Sequence, residues 1–465
     1  MAGRGQGNGI VNAPPTLLGL AALLGAASFL ARRRAVLSSV IAGGGAALLG
    51  GLALGISLDA PIQWLGGTLK VSGTWAVLGR AFVLDDGNRA AVSFIFLAGA
   101  FLLTGSWAAR AVAYLPSFGL LMIACVAASL MIRPFLYAAP LLEMAAIGGC
   151  LVLVGDRPQS HRAGLRLLTF YTLAMMALLL TGWMLGTAGV TSATALEAER
   201  VFLLLAVGLA VLLVVPPFHS WLSAGAQASD PYTLAFVLVL LQSAGLFLFL
   251  GFLDSFGWLR ESVELASRLR WAGLVTVGFG TLWAASQRDS PRLMAYAVVA
   301  DVGVSLLLLA RLEASAYQIA LGMAGSRAVG MAVWAMGEAN VAHAAAQARD
   351  TRLAALSSFA GASSVAGAPL TAGFPGRWAA LGLLGRSDAW ASGAIVASIL
   401  ILTGSIARVA FRAEGAVEAT AERSSRARRF FLATGVLLIA ALGLFPQLLY
   451  PWVIRAAEGL HNLIP

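Results

Sequence analysis

Val214-Val215-Pro216-Pro217-Phe218-His219-Ser220-Trp221 interrupts an apolar run that extends from Val201 to Phe252. Two consecutive prolines remove backbone donors and clash with the preceding turn, so a helix that starts near Val201 must break or kink here. Lipid cannot satisfy the freed carbonyls. Such a break persists only where protein or a water-filled cavity supplies partners, so an interrupted membrane helix points to a transport path. A second interruption stands at Gly367-Ala368-Pro369-Leu370-Thr371-Ala372-Gly373-Phe374-Pro375-Gly376-Arg377. Two broken helices in two halves predict an internal repeat.

Composition sets the class. Of 465 residues, 59% are hydrophobic and 11% charged, which excludes a soluble globular chain and predicts an all-α polytopic membrane protein. The formal charge of +10 lies in short loops between apolar runs, where bases act as topology determinants rather than as a nucleic-acid surface. Cys125 and Cys150 both lie in apolar runs without CxxC or Cys/His spacing, so no iron–sulfur cluster, disulfide framework or other metal site is predicted. Met1 to Asn12 is polar and Gly-rich rather than a cleavable signal, and the first apolar run is expected to remain as a helix.

At about 20 residues per span, helices are predicted near 14–31, 35–55, 91–109, 113–131, 134–154, 166–188, 200–222, 231–253, 270–286, 291–310, 315–337, 353–385, 389–410 and 429–452. The breaks then fall in the seventh and twelfth of fourteen spans, as two inverted five-helix repeats require. The domains so predicted are 1–110 with three helices, 111–255 as the first repeat, 265–411 as the second, and 412–465 with a cytoplasmic loop and the last helix. An external N-terminus places Arg32 to Arg34, Arg157, Arg162, Arg166, Arg288, Arg292, Arg349, Arg352 and the run Arg423 to Arg429 on the cytoplasmic side, as the positive-inside rule asks. Both termini are then external, in a bacterial inner membrane. Residues 56–90, with Asp59, Trp64, Leu69, Val71 and Trp75, are expected to form an external β-hairpin cap, and 411–429 a solvated loop.

Ionisable residues at membrane depth are functional candidates because burying them is costly. Glu143, Asp301, Arg327 and Arg377 meet that description, and Gln242 adds a polar group deep in the eighth span. Together they are candidates for a polar axis. Asp301 and Arg327 lie on adjacent predicted helices and have a second reading as a neutralising ion pair that fixes packing. His219 follows the proline pair and is either a proton relay or a cap for the freed carbonyls. Trp221 and Trp378 are expected as helix-end interface anchors, and Glu338 and His343 as solvated residues at a helix end.

Three segments carry a family resemblance. Pro217-Phe218-His219-Ser220-Trp221-Leu222 with Asp230-Pro231, Arg288 to Ala297, and Gly367 to Arg377 resemble, in order, conserved segments of the antiporter-like membrane subunits of respiratory complex I, the last favouring the subunit N branch. The resemblance covers most of 91–410. It implies a proton path built from a glutamate on the fifth helix and lysines on the seventh, eighth and twelfth. Glu143 matches the glutamate and Arg377 stands for the twelfth-helix lysine, whereas Leu212 and Gln242 occupy the other two lysine positions. Pro291 replaces a further lysine, and Asp301 and Arg327 stand at or near polar or basic positions of the family. Lysine can release its proton when desolvated and arginine does not, so these replacements remove exchangeable charge.

The resemblance implies a membrane-arm subunit of a proton-translocating NADH-quinone oxidoreductase. The alternatives are a non-pumping structural subunit of the same complex, or a subunit of a related cation/proton antiporter or membrane hydrogenase complex. No cofactor is expected in this chain, with iron–sulfur clusters, flavin and quinone in partner subunits. Other membrane subunits and the bilayer are the expected partners.

Overall fold

A backbone in lipid must satisfy its own hydrogen bonds, and the apolar runs accordingly close into helices. The computed structural model describes all residues except 1–8, 59–60, 65–66, 156–159, 188–194, 261–262, 346–351, 415–425 and 464–465. Asp59, Arg157, Arg349 and Arg423 lie outside the described residues. The helices are α1 (Ala13–Leu30), α2 (Ala35–Gly55), α3 (Arg89–Gly105), α4 (Leu115–Met131), α5 (Ala138–Val154), α6 (His161–Thr187), α7 (Ala195–Leu212), α8 (Ser220–Ala228) and α9 (Pro231–Ser255). They continue as α10 (Gly257–Arg260), α11 (Val263–Ser286), α12 (Ser290–Leu309), α13 (Ala314–Ala345), α14 (Arg352–Ala366), α15 (Phe374–Leu384), α16 (Ala389–Glu414), α17 (Arg426–Leu444) and α18 (Tyr450–Glu458). Eight of them, α1, α2, α6, α9, α12, α13, α16 and α17, are long and apolar enough to cross a bilayer, so the chain is a multi-pass membrane protein.

Several starts follow from local chemistry. Asp230 accepts from the Thr233 amide at 2.9 Å and Asp289 from the Arg292 amide at 3.0 Å, each ahead of a first-turn proline. An acidic N-cap satisfies a free amide and proline needs none there, which explains the Asp-Pro and Asp-Ser-Pro spellings.

Residues 56–90 hold the expected β structure, as two hairpins rather than one. β2 (Pro61–Trp64) and β3 (Gly67–Ser72) form one hairpin, and β4 (Thr74–Val77) and β5 (Arg80–Val83) another, whose two-residue turn has Leu78 at φ 49° and Gly79 at φ 71°. Each hairpin gains a third strand from a distant segment. β1 (Gly9–Asn12) runs parallel to β3, and β6 (Ile132–Arg133) runs antiparallel to β5. Two other boundaries differ from expectation. α13 continues to Ala345 and takes Glu338 into its body. The apolar run 429–452 stops at Leu444, before Pro446, and α18 folds back so that Trp452 stacks on Phe94 at 4.7 Å and donates to the Ala90 carbonyl at 3.1 Å.

The core lies around three helices. The most apolar stretches of α9 and α12 are each 94% buried and that of α13 is 83% buried, against 28% and 22% for α16 and α17. Those three helices carry Gln242, Asp301 and Arg327.

At the periphery, Asp388 in the connection between α15 and α16 accepts from Arg270 through both carboxylate oxygens, with Nη2 at 3.0 Å from Oδ1. It also caps α16 through the Ala391 amide at 3.0 Å. The hydrogen bond from Arg270 holds the Asp388 carboxyl below the usual carboxylate range. A carboxylate depressed in the folded state stabilises above the unfolded value of about 3.9, and that contribution is lost as pH falls through the folded value. Asp388→Asn keeps a cap and removes the charge. The variant is expected to unfold about 0.2–1 kcal/mol more easily at pH 7, with the gap closing toward pH 3. Thermal unfolding at the two pH values measures it, and a gap independent of pH would contradict the assignment.

Candidate ion-translocation site

The site is framed by the two breaks. α7 stops at Leu212 and the chain is helical again from Ser220, while α14 stops at Ala366 and α15 begins at Phe374. Both half-helices end in the same motif. The Val214 amide donates to Val211 O (3.1 Å) and Val215 to Ala210 O (2.8 Å); the Gly367 amide donates to Ser364 O (3.0 Å) and Ala368 to Ser363 O (2.9 Å). This is the paired Schellman pattern with a left-handed residue after the helix, here Val214 at φ 60° and Gly367 at φ 79°. Proline follows immediately in both, at Pro216 and Pro369. The prolines thus mark the exits, and the backbone itself satisfies carbonyls that lipid would leave bare.

The second break is built around Arg377. A Cβ on Gly367 would lie 2.2 Å from Arg377 Cδ, and one on Gly373 would lie 1.9 Å from Ser364 O and 3.4 Å from Arg377 Nη1. The two glycines leave room for a guanidinium at membrane depth. Arg377 Nη2 donates to Asp301 Oδ1 at 2.8 Å, and Arg327 Nη1 lies 3.3 Å from Asp301 Oδ2. All three side chains are buried, at 2%, 3% and 6% exposure for Arg377, Asp301 and Arg327. The predicted pair is therefore a triad of two guanidiniums on one carboxylate. With all three groups ionised the triad carries a formal charge of +1, and neither arginine offers an exchangeable proton.

Among the described residues, those of the first break, 212–220, include no Asp, Glu, Lys or Arg. Leu212 is fully buried and packs against Gly245, where a Cβ would lie 3.0 Å from Leu212 Cβ. Gln242, one turn from Gly245 on α9, is 2% exposed, and neither amide atom has a hydrogen-bond partner among the described residues. His219 stands at the N-cap of α8 without a cap bond to that helix, and its imidazole interacts with the Pro217 backbone. The ring lies against Phe279 at 4.5 Å and Tyr296 at 6.1 Å between centroids, with Nδ1 buried and unpartnered. Glu143 lies apart from these groups, half-buried on α5, where Thr172 Oγ1 of α6 donates to its Oε1 at 2.6 Å. Met144 and Ile147 beside it are exposed, so this carboxylate is near the outer face of the bundle.

Trp221 is completely buried, contrary to its expected place as an interface anchor, whereas Trp378 is 66% exposed. Glu338, expected as a solvated residue at a helix end, lies instead within α13 and is partly buried. It accepts from Ser358 Oγ of α14, and the neighbouring Trp334 Nε1 donates to Ser290 Oγ at 3.0 Å. Arg327, Trp334 and Glu338 share one face of α13, at spacings of seven and four. That face meets buried serines of α14, with Ser357 and Ser358 at the level of Glu338 and Ser363 and Ser364 toward the second break. The side chain of His343 is outside the described set.

Of the 31 basic Lys and Arg residues, only Lys70, in β3, is lysine. No described helix therefore offers a lysine for proton exchange at depth.

The family described as NADH:quinone oxidoreductase/Mrp antiporter, TM, matches residues 141–404, more than half of the chain. A search of curated protein sequences finds no match. Among solved structures, a chain of the Mrp complex from a Dietzia species superposes with a TM-score of 0.76 at 16% identity, covering 97% of this chain and 99% of that one. A chain of the membrane-bound sulfane sulfur reductase, an archaeal respiratory membrane complex, gives 0.77 at 16% identity, with 97% and 98% covered. A chain of respiratory complex I from Thermus thermophilus with bound NADH gives 0.72 at 20% identity, with 97% and 100% covered. At these identities the superpositions establish the fold.

Proposed function

Because the chain belongs to the NADH:quinone oxidoreductase/Mrp antiporter family of membrane subunits, we propose that it is an antiporter-like subunit in the membrane arm of a proton-translocating NADH-quinone oxidoreductase. The observation that carries this reading is the Arg327–Asp301–Arg377 triad at the second break. A buried net charge with no direct packing advantage is retained most readily where its field acts on a moving ion. Arg377 also lies in the first turn of α15, so it adds to the positive end of that half-helix. The triad supplies a fixed positive field, and Glu143 and Glu338 are the carboxylates that exchange protons. The identical Schellman exits of α7 and α14 support two inverted repeats within fourteen spans, with both termini external. Flavin, iron–sulfur clusters and quinone belong to partner subunits.

A second reading has its own observation. Leu212 packed on Gly245 and the lack of lysine in the described helices favour a structural subunit that keeps its place in the assembly without conducting.

The test is purification of the native complex in mild detergent, identification of its chains, and measurement of proton and sodium movement during NADH oxidation. Redox subunits are expected alongside this chain, with sodium-independent proton translocation. Glu143→Gln is expected to lower translocation by at least about a hundredfold while assembly persists, at the low end of what a positioned proton-transfer group contributes. Unchanged stoichiometry in Glu143→Gln/Glu338→Gln would establish the structural role instead. Sodium-dependent exchange without redox partners would place the chain in a Mrp-type antiporter.

A further inference from the structure

α7 packs on α6 and α9, and α11 packs on α12 and α16. Between α7 and α11 lies a cavity of about 340 Å³, roofed by the end of α7 at the first break. Every residue lining it is apolar except Glu199 and Arg268, which stand together at one end. The opposite end is Leu213 and Val215, which flank the left-handed Val214. Fourteen residues separate Glu199 from Leu213, or about 20 Å of helix rise, whereas one leaflet of hydrocarbon is about 15 Å deep. The cavity therefore runs from the membrane interface to mid-depth, the reach of a single acyl chain.

The mouth has a defined charge pattern. Arg268 Nη2 lies 2.6 Å from Glu264 Oε2 and 3.8 Å from Glu199 Oε1, and its guanidinium carbon is 4.5 Å from the centroid of the Phe202 ring. One guanidinium with two carboxylates accepts a phosphate and an ammonium together. A purely anionic headgroup would face an excess of carboxylate, and a quinone ring has no charge to match either sign.

We propose that this cleft is a phospholipid site that holds one acyl chain beneath the first break and an ethanolamine headgroup at Arg268, Glu199 and Glu264. The headgroup phosphate lies on Arg268 and the ammonium between the two glutamates. The bound chain fills the apolar space under Val214 and keeps the unwound turn packed, whichever transport role the subunit has.

The intact complex, reconstituted in nanodiscs of equimolar phosphatidylethanolamine and phosphatidylglycerol, is extracted and its retained lipid weighed by native mass spectrometry. Wild type is expected to retain phosphatidylethanolamine on this chain. Ala206→Trp, which fills the cavity, is expected to lower that retention about tenfold. Glu199→Gln/Glu264→Gln changes only the mouth, and it is expected to shift the retained lipid toward phosphatidylglycerol by several-fold. Equal retention in Ala206→Trp, retention of phosphatidylglycerol or quinone by wild type, or an unaltered headgroup preference in the double glutamate variant would each overturn the proposal.

Discussion

Asp301→Asn is expected to destabilise the folded chain by about 3–5 kcal/mol, the range found when one partner of a buried ion pair is removed and the other is left uncompensated. Here two guanidiniums, Arg327 and Arg377, lose their shared carboxylate in a site where all three side chains are at most 6% exposed. Asparagine is nearly isosteric, so packing is preserved and the loss is electrostatic. Neither arginine can neutralise itself by releasing a proton. Purified assemblies should show a large drop in thermal unfolding midpoint or fail to form. The diagnostic comparison is Asp301→Asn combined with Arg377→Met. Removing one of the two stranded charges should recover part of the loss, a coupling of about 1–3 kcal/mol between contacting residues. Asp301→Asn that assembled with unchanged stability would show that the triad is not the coupled unit its distances describe.

The breaks were legible because proline and glycine act locally. Pro216 and Pro369 forbid helix continuation whatever surrounds them, and Asp230 and Asp289 announce helix starts by the same local chemistry. Depth was legible for Asp301, Arg327 and Arg377 because each interrupts an apolar run. The Asp301–Arg327 contact was legible from adjacent helices, but that of Arg377 was not, since it reaches Asp301 across 76 residues. Helix faces gave no help. α9 and α12 are apolar around most of their circumference, because lipid and core select the same residue types. The same uniformity hid Trp221 in the interior. Glu338 was placed at a solvated helix end because the apolar signal fades before it, whereas α13 continues to Ala345 and presents the carboxylate to Ser358. The strands at Gly9–Asn12 and Ile132–Arg133 pair only with distant partners, so their own short sequences announce nothing.

Gly367→Ala is expected to destabilise the chain by about 2–4 kcal/mol, combining a left-handed backbone for a residue with Cβ and overpacking against a side chain that cannot move. At φ 79° the new methyl would lie 2.2 Å from Arg377 Cδ and 2.8 Å from its Nη1. Arg377 is held by Asp301 at 2.8 Å, so relief by rotation would sever the triad. Gly382→Ala supplies the control. It lies in α15 with no atom within 4 Å of the added carbon, and replacement of a helical glycine there should stabilise by about 0.5–1 kcal/mol. Opposite signs for the two variants in thermal unfolding would isolate the cradle from any general effect of losing glycine, and equal signs would remove the cradle as an explanation. The first break sharpens the point. Val214 takes the same left-handed position at φ 60° with a β-branched side chain, so the turn itself does not require glycine. Glycine is needed at 367 because a guanidinium occupies the space its side chain would fill. The two exits share a backbone and differ in what they hold, apolar packing against Leu212 in one and a fixed positive charge in the other.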